Sequence, residues 1–455
     1  MSFTAPTISD RRLAVRVTRD AERRIRSGHP WVFDGSIESV SHEGRPGDLA
    51  VIFDHKRDFL AIGLWDPDSP IRVRVVHLGK PTTIDGGFWA NAVVDAVAVR
   101  EGLRADVGTT GMRIINGEND GFGGLVVDVY DTVGVVKVYS AAWFPHLPAI
   151  LDALVELLGL ETVVGRHSRL LANRERHGLE DGAALVGTVP GDGIVAFLEH
   201  ELTFHADVVH GQKTGHFLDQ RDNRAMVGGL ASGARVLDVF CHSGGFSVHA
   251  AAGGARSVTS VDQSPHALRQ VAAHLDANAG VTRDTRSETV QGDAFEVLAA
   301  MERAGERFDV VVIDPPSFAG RQAAVAGALR SYTRLTKAGL AVLADGGTLV
   351  QASCSARVSS DDFVAVVNGA AAEVGRDDDL VSGVSVQHPD LFAAEPEALS
   401  VAFGDGDACE NGLVRRHEQR LLLADPREPA RARAAGRPDA LARSGHQQHP
   451  EPDLR

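Results

Sequence analysis

The spacing of apolar positions divides the chain into stretches of different rhythm. Residues 10–80 alternate short strand-like runs with turns: Leu13-Ala-Val-Arg-Val17, Leu49-Ala-Val-Ile-Phe53, Phe59-Leu-Ala-Ile-Gly63 and Ile71-Arg-Val-Arg-Val-Val76. Gly28-His-Pro-Trp-Val-Phe33 and Asp66-Pro-Asp-Ser-Pro70 supply turn chemistry between them. This predicts a small β-barrel over residues 1–80. In the Ile71 run apolar residues alternate with arginines, which predicts one buried and one basic face. Residues 88–104 carry apolar residues at helical spacing. A glycine-rich turn within Arg113–Tyr130 leads into a strand, Val133–Tyr139 reads as its hairpin partner, and Leu147–Leu160 reads as a helix. Together these predict an α+β unit over 88–200, its glycines serving tight turns.

From Val208 the rhythm changes. A dense polar stretch, His210 to Arg224, precedes regular alternation of strand and helix patterns. Strands are predicted at Val236–Phe240, at a run ending in Asp262, at Ser287–Asp293, at Phe308–Asp314 and at Gly347–Ser355, with helices at 265–278, 322–343 and 361–373. Such alternation predicts a doubly wound α/β sheet over 201–403. After Gly404 the pattern collapses into prolines, alanines and balanced charge. Residues 404–455 are therefore expected to be a disordered tail, with at most a short helix near Gln419–Leu423.

Composition adds bounds. A chain of 455 residues with 44% hydrophobic content is long enough for several domains, each with a core. No apolar run suggests a membrane span and no signal pattern opens the chain, so a cytoplasmic protein is expected. Three cysteines, Cys241, Cys354 and Cys409, are too scattered for a disulfide framework or a zinc site, and no metal is expected. The net charge of −15 argues against nucleic acid, but seven arginines lie between residues 11 and 26. That cluster reads either as solvated surface or as an RNA-facing patch.

The chemistry centres on Val236–Asp262, a strand, glycine turn, helix and strand unit. Gly244 and Gly245 let the backbone approach a ligand, and Asp262 stands where an acid can accept from ribose hydroxyls. The turn lacks the glycine spacing of a dinucleotide fingerprint, and Asp238 beside it suits a cationic ligand. S-adenosylmethionine, with sulfonium and ammonium groups, has those features, whereas a nicotinamide dinucleotide fits poorly. Asp238, Asp262, Asp293 and Asp314 all fall near carboxyl ends of strands, where ligands bind in this architecture. Asp314-Pro-Pro-Ser-Phe318 sets a rigid turn, and Ser353-Cys354-Ser355 puts a thiol at the tip of the next strand. Sulfur attack on carbon 6 of a pyrimidine would make carbon 5 nucleophilic.

Gly211-Gln-Lys-Thr-Gly-His-Phe-Leu-Asp-Gln-Arg-Asp-Asn-Arg224, Leu237-Asp-Val-Phe-Cys-His-Ser-Gly-Gly-Phe246, Asp314-Pro-Pro-Ser-Phe318 and Ser353-Cys-Ser355 together resemble the PUA-containing ribosomal RNA cytosine-C5 methyltransferases. Asn116–Tyr130 and His29–Phe33 match as well, and the likeness spans about residues 10–403. It implies a PUA barrel, an α+β middle domain and a Rossmann-like class I methyltransferase domain. By position it implies Cys354 as nucleophile, Asp314 as the base-side catalytic group, Asp262 on the ribose and Asp293 beside the adenine. The pocket for S-adenosylmethionine is assigned to Phe217, Gln220, Asp238, Phe240, Ser243, Gly244, Asp262, Asp293 and Asp314. Large-subunit ribosomal RNA is the implied partner, with a homodimer left open. Ser317 departs from the lysine this family often carries there. The competing readings are a base-nitrogen RNA methyltransferase, which needs no thiolate, and a non-catalytic RNA-binding assembly factor.

Overall fold

The computed structural model describes residues 5–168, 171, 179–319, 322–355, 357–375, 383–386 and 420–423. Six strands open the chain: β1 (Leu13–Val17), β2 (Trp31–Phe33), β3 (Ile37–Val40), β4 (Leu49–Phe53), β5 (Phe59–Trp65) and β6 (Ile71–Leu78). They pair in the order β2-β6-β5-β4-β1-β3. Val32 at one end of the sheet and Val15 near the other share a core with Ile52, Ala61 and Val73, so the sheet curls on itself. The stretch expected as turn at 28–33 ends in β2, which three residues were too short to announce.

The arginine cluster folds into a helix, Arg19–Arg26, capped by the Thr18 hydroxyl. Acids fill its first turn and arginines its last, as the helix dipole favours. Asp20 pairs with Arg23 and Arg24, Glu22 and Asp54 with Arg26, and Glu38 with Arg16. Much of the cluster's charge is thus answered within the barrel. The basic face predicted for the Ile71 run is not solvated either. Arg72 pairs with Asp34, and Arg74 is 3% exposed beside Asp66, because this edge of the barrel is covered by the next domain.

That domain carries β7 (Gly111–Asn116), β8 (Leu125–Tyr130), β9 (Val133–Val138), β10 (Thr162–His167) and β11 (Ala184–Val186), ordered β11-β10-β9-β8-β7. Every residue of β8 is buried, because both faces are covered. Helices Gly86–Val99 and Leu147–Leu158 pack on one face through Trp89, Val93, Ile150 and Leu154. The stretch Ala141–Leu158 is long and apolar enough to cross a bilayer, contrary to the sequence reading. It serves as a core element here, with Leu147, Leu151 and Leu154 fully buried. Leu49, Ile62 and Leu64 of the barrel join the same core.

A hairpin of β12 (Ile194–Glu199) and β13 (Leu202–Asp207) covers the other face. Its Phe197 and Phe204 share one core with Tyr130 and Val135 of β8 and β9 and with Leu218 and Val248 further along the chain. The domain boundary expected between residues 200 and 201 therefore falls inside its turn, where His200 and Glu201 have φ of 50° and 67°. The hairpin is the mortar between two domains rather than the start of one.

The last sheet holds β14 (Arg235–Val239), β15 (Ser257–Asp262), β16 (Arg286–Gln291), β17 (Phe308–Ile313), β18 (Leu343–Ser353), β19 (Gly383–Val386) and β20 (Arg420–Leu423). Their order is β16-β15-β14-β17-β18-β20-β19. The first five are parallel, and β20 runs antiparallel to both β18 and β19. The order reverses between β14 and β17, which opens a crevice at their carboxyl ends. Residues 420–423 are a strand, not the short helix anticipated there. Val350 of β18 pairs with Leu423 and Ser353 with Arg420, so a segment assigned to the tail completes the sheet. The remainder of that expected tail, with Cys409, lies outside the described residues.

Candidate active site

The crevice begins where β14 ends. Phe240, His242 and Gly244 all have positive φ, at 63°, 48° and 79°, so the chain makes a tight, strained turn into helix Gly245–Ala252. Gly244 is required twice over: its φ is left-handed, and a Cβ would lie 2.9 Å from Val271. Asp238 is fully buried, and its Oδ2 accepts from the Ser247 amide (3.0 Å) and hydroxyl (2.6 Å). Its Oδ1 is buried without a partner. Burial pushes this carboxyl up to about 6. A buried acceptor left open at the mouth of such a turn fits the ammonium of an amino-acid group.

Asp262 ends β15. One oxygen accepts from the His242 amide at 3.0 Å and the other from the Ser264 amide at 2.8 Å, which fixes the carboxylate against the turn. Lone pairs remain for two ribose hydroxyls. Asp293 caps helix Ala294–Arg303 by accepting from the Phe295 and Glu296 amides, and its Oδ2 accepts from Gln263, next to Asp262. Ser243 is buried; its carbonyl accepts from His274 Nδ1 at 2.8 Å. Backbone N–H of His205 donates to His274 Nε2 at 3.0 Å, so the hairpin braces the turn through one imidazole.

The polar stretch 210–224 forms the other wall. Thr214 donates to Asp128 (2.5 Å), and the Tyr130 hydroxyl accepts from the His216 amide (3.1 Å), pinning the loop to β8. Arg224 donates to both oxygens of Glu199 at 2.8 Å, and His249 meets the same carboxylate at 3.1 Å. Burial opposes the Glu199 charge, but Arg224 and the two histidines hold its carboxyl well below the usual range. A Cβ on Gly245 would strike the Arg224 side chain at 2.4 Å. Phe217 stands 5.0 Å from the His242 ring, and the Lys213 ammonium lies 4.5 Å over Phe217 and 3.2 Å from Asp219.

The reaction end of the crevice lies between β17 and β18. Gln220 donates to Asp314 at 3.0 Å. Burial pushes the Asp314 carboxyl up to about 7; Asp219 and Asp238 add to this while Arg224 and Lys213 oppose it. The Cys354 thiol points at the Pro315 carbonyl, 3.5 Å away. Burial and then Asp314 push that thiol up to about 12, with Lys213 working the other way. Cys354 is therefore not the low-pKa cysteine that covalent catalysis would lead one to expect at rest. Tyr332 ties the site together: its hydroxyl meets Ser353 and Ser355 at 2.8 Å each, and Ser355 accepts from the Phe318 amide at 3.0 Å. Cys354 is thus clamped on both sides, against the Asp-Pro-Pro turn.

All the predicted site residues line one continuous run of contacts. Asp238, Phe240, Ser243 and Gly244 share the turn; Asp262 and Asp293 extend it through Gln263. Phe217 and Gln220 connect it to Asp314 and Cys354. Lys213, Asp219, Arg224, Tyr332 and His274 were not singled out from sequence. The first three lie inside a motif that was, but their partners come from distant segments. Cys241 is buried, with its thiol driven far up by desolvation and then by Asp238 and Asp262, which opposes thiolate formation. Away from the crevice, Glu22, Asp54 and His55 come together on the barrel, but Arg26 already pairs with both carboxylates.

The strand order, the strained turn and the acids around it define an S-adenosylmethionine-dependent methyltransferase of Rossmann-like fold. A model of that family matches residues 123–376, and one of a PUA-like domain matches residues 15–77. Its cofactor is S-adenosylmethionine. A ribosomal RNA large subunit methyltransferase of Deinococcus radiodurans is 48% identical over 379 residues, covering 82% of this chain and 92% of that one. Ribosomal RNA large subunit methyltransferase I of Klebsiella pneumoniae (strain 342) is 33% identical, covering 84% and 95%. The chain belongs to this family of large-subunit ribosomal RNA methyltransferases. Among solved structures, SMU.776 in complex with SAH shares the fold with a TM-score of 0.70 at 20% identity, covering 90% of this chain and 99% of that one.

Proposed function

We propose that the protein methylates carbon 5 of a cytosine in large-subunit ribosomal RNA through a covalent bond to Cys354. The observation that carries this reading is the clamped thiol itself, held at the mouth of the cofactor crevice against the turn that bears Asp314. A base-nitrogen transfer gives such a thiol no task. The names of the relatives support ribosomal RNA as substrate.

With Asp314 near 7 and Cys354 near 12, the pair carries one proton between those values, mainly as carboxylate and thiol. The reactive form is its tautomer. The thiol proton passes to Asp314, sulfur bonds to carbon 6, and Asp314 delivers that proton to ring nitrogen 3. Electron density then rests on carbon 5 of a neutral adduct, with the negative charge back on Asp314; after methylation the carbon-5 proton leaves and its electron pair expels the sulfur as thiolate. Lys213 steadies the anion whichever member carries it, and Tyr332 keeps the sulfur in place. S-adenosylmethionine supplies the electrophilic methyl group; Asp262, Asp238 and the turn orient it.

The test is to trap the adduct. With 5-fluorocytosine in the RNA the carbon-5 proton is missing, so the thioether cannot be released and a denaturation-resistant protein–RNA complex should accumulate. Cys354→Ala should give no complex and no methyl transfer, whereas Cys241→Ala should still be trapped. Methyl transfer by Cys354→Ala at the wild-type rate would sink the covalent mechanism.

A further inference from the structure

Arg357 follows Cys354 by three residues, just past the tip of β18, where the Val358 amide donates to the Ser355 carbonyl (3.0 Å) and folds the chain back. Ser355 is itself held by Tyr332 and Phe318, so Arg357 lies two residues past an anchored point of the reaction end. Its Nε and Nη2 are buried without a hydrogen-bond partner among the described residues. These two atoms form the side-on fork of a guanidinium. The same fork is filled elsewhere in this protein: Arg113 uses Nε and Nη2 on the two oxygens of Asp128, at 2.8 and 3.0 Å. Arg72, Arg100, Arg166 and Arg224 likewise each meet a carboxylate.

In a chain with a net charge of −15, acids abound to satisfy an arginine, yet Arg357 pairs with none among the described residues. Desolvation lowers its pKa with no charged neighbour contributing. An unanswered fork three residues beyond Cys354 in the chain is matched by an anion with two coplanar oxygens. The carboxylate of S-adenosylmethionine is one such anion, but its ammonium end is accounted for at the Asp238 turn. The phosphodiester of the nucleotide entering beside Cys354 is the other.

We propose that Arg357 is an RNA-phosphate subsite, gripping a phosphodiester next to the target base so that the base is held over Cys354. This rests on the RNA reading above and deepens it. The subsite acts on the nucleic acid and not on the cofactor. Arginine serves better than lysine because the fork fixes orientation as well as charge.

The experiment measures binding of in vitro transcribed large-subunit ribosomal RNA over a range of salt, alongside methyl-transfer kinetics and calorimetry with S-adenosylmethionine. Arg357→Gln should raise the KM for RNA by about tenfold and flatten the slope of log K against log salt by about 0.7–0.9, the equivalent of one phosphate contact. Its cofactor affinity and melting temperature should match wild type. Arg357→Lys should restore the salt slope but not the KM, since it keeps the charge and loses the fork. A wild-type slope and KM in Arg357→Gln overturn the subsite, as does a loss confined to cofactor affinity. If wild type neither binds nor methylates the RNA, the substrate reading itself has failed and this inference falls with it.

Discussion

Replacing Asp314 by asparagine separates a shared-proton mechanism from a simple thiolate. In the wild-type pair, Asp314 titrates near 7 and Cys354 near 12. A folded-state carboxyl raised this far is charged only above its own pKa, so the single-proton form fills as pH rises through about 7. Methyl transfer under limiting RNA should therefore rise with pH, turn over near 7 and stay level to at least pH 9. Asparagine keeps the shape and can still meet Gln220, but it cannot take the thiol proton. The anion then has to come from the thiol's own ionisation, and each unit of pKa above the assay pH removes a factor of ten. At pH 8 a thiol of pKa about 12 is ionised to about one part in 10⁴. The reactive tautomer of the wild-type pair is itself rare, so the loss expected in the variant is that of proton delivery to ring nitrogen 3, a fall of roughly 10²–10⁴. The plateau should give way to a rate that climbs with unit slope past pH 9. Single-turnover transfer of labelled methyl groups across pH 5.5–10 reads both features. A variant that still levels off near pH 7 would refute the role of Asp314 as the proton's resting place.

Other perturbations test the scaffold. Asp262→Ala frees the His242 and Ser264 amides; if Asp262 accepts from both ribose hydroxyls as proposed, affinity for S-adenosylmethionine should fall by about 30-fold or more, from roughly 2–4 kcal/mol. Calorimetry showing unchanged affinity would exclude it from the pocket. Glu199→Gln strands the buried Arg224 charge and should destabilise by roughly 3–5 kcal/mol, read as a lower denaturation midpoint; a shift under 1 kcal/mol would mean water answers the arginine. Ending the chain at Gly404 deletes the strand paired with β18, so the melting temperature should fall by several degrees, at about 2–4 °C per kcal/mol. An unchanged value would mean that β20 contributes nothing to the sheet.

The crevice was legible in the sequence because its parts are local. A strand ending in an acid, a glycine turn or a proline turn announces itself within ten residues, and the parallel sheet follows from alternation. What could not be read depends on distant partners. The Ile71 run alternates as a solvated edge would, yet Arg74 is buried because Ser140 and Glu118 of the next domain close over Asp66 and Trp31. The boundary at residue 200 was misplaced because hairpin β12–β13 has apolar residues serving two domains at once, and pattern alone assigns a residue to one core. Arg420–Leu423 is too short a run to outweigh its polar surroundings; only an open edge at β18 makes it a strand. The charge state of Cys354 is beyond the sequence for a related reason. Position at a strand tip reveals access, while charge state depends on which carboxylates gather around it.

Three domains here have no joint. Leu49, Ile62 and Leu64 of the barrel sit in the core of the middle domain, and Phe197 and Phe204 knit that domain to Leu218 and Val248 of the catalytic sheet. A tethered arm would spend each encounter sampling linker conformations, and its local concentration at the target would fall with linker length. A welded one behaves as a calliper with its jaws set. On the proposed reading, RNA held by the barrel would be presented to Cys354 at a single span, and a nucleotide one step along the strand would fall outside it. Selectivity of that kind is stored in the packing of valines and phenylalanines that never touch the substrate.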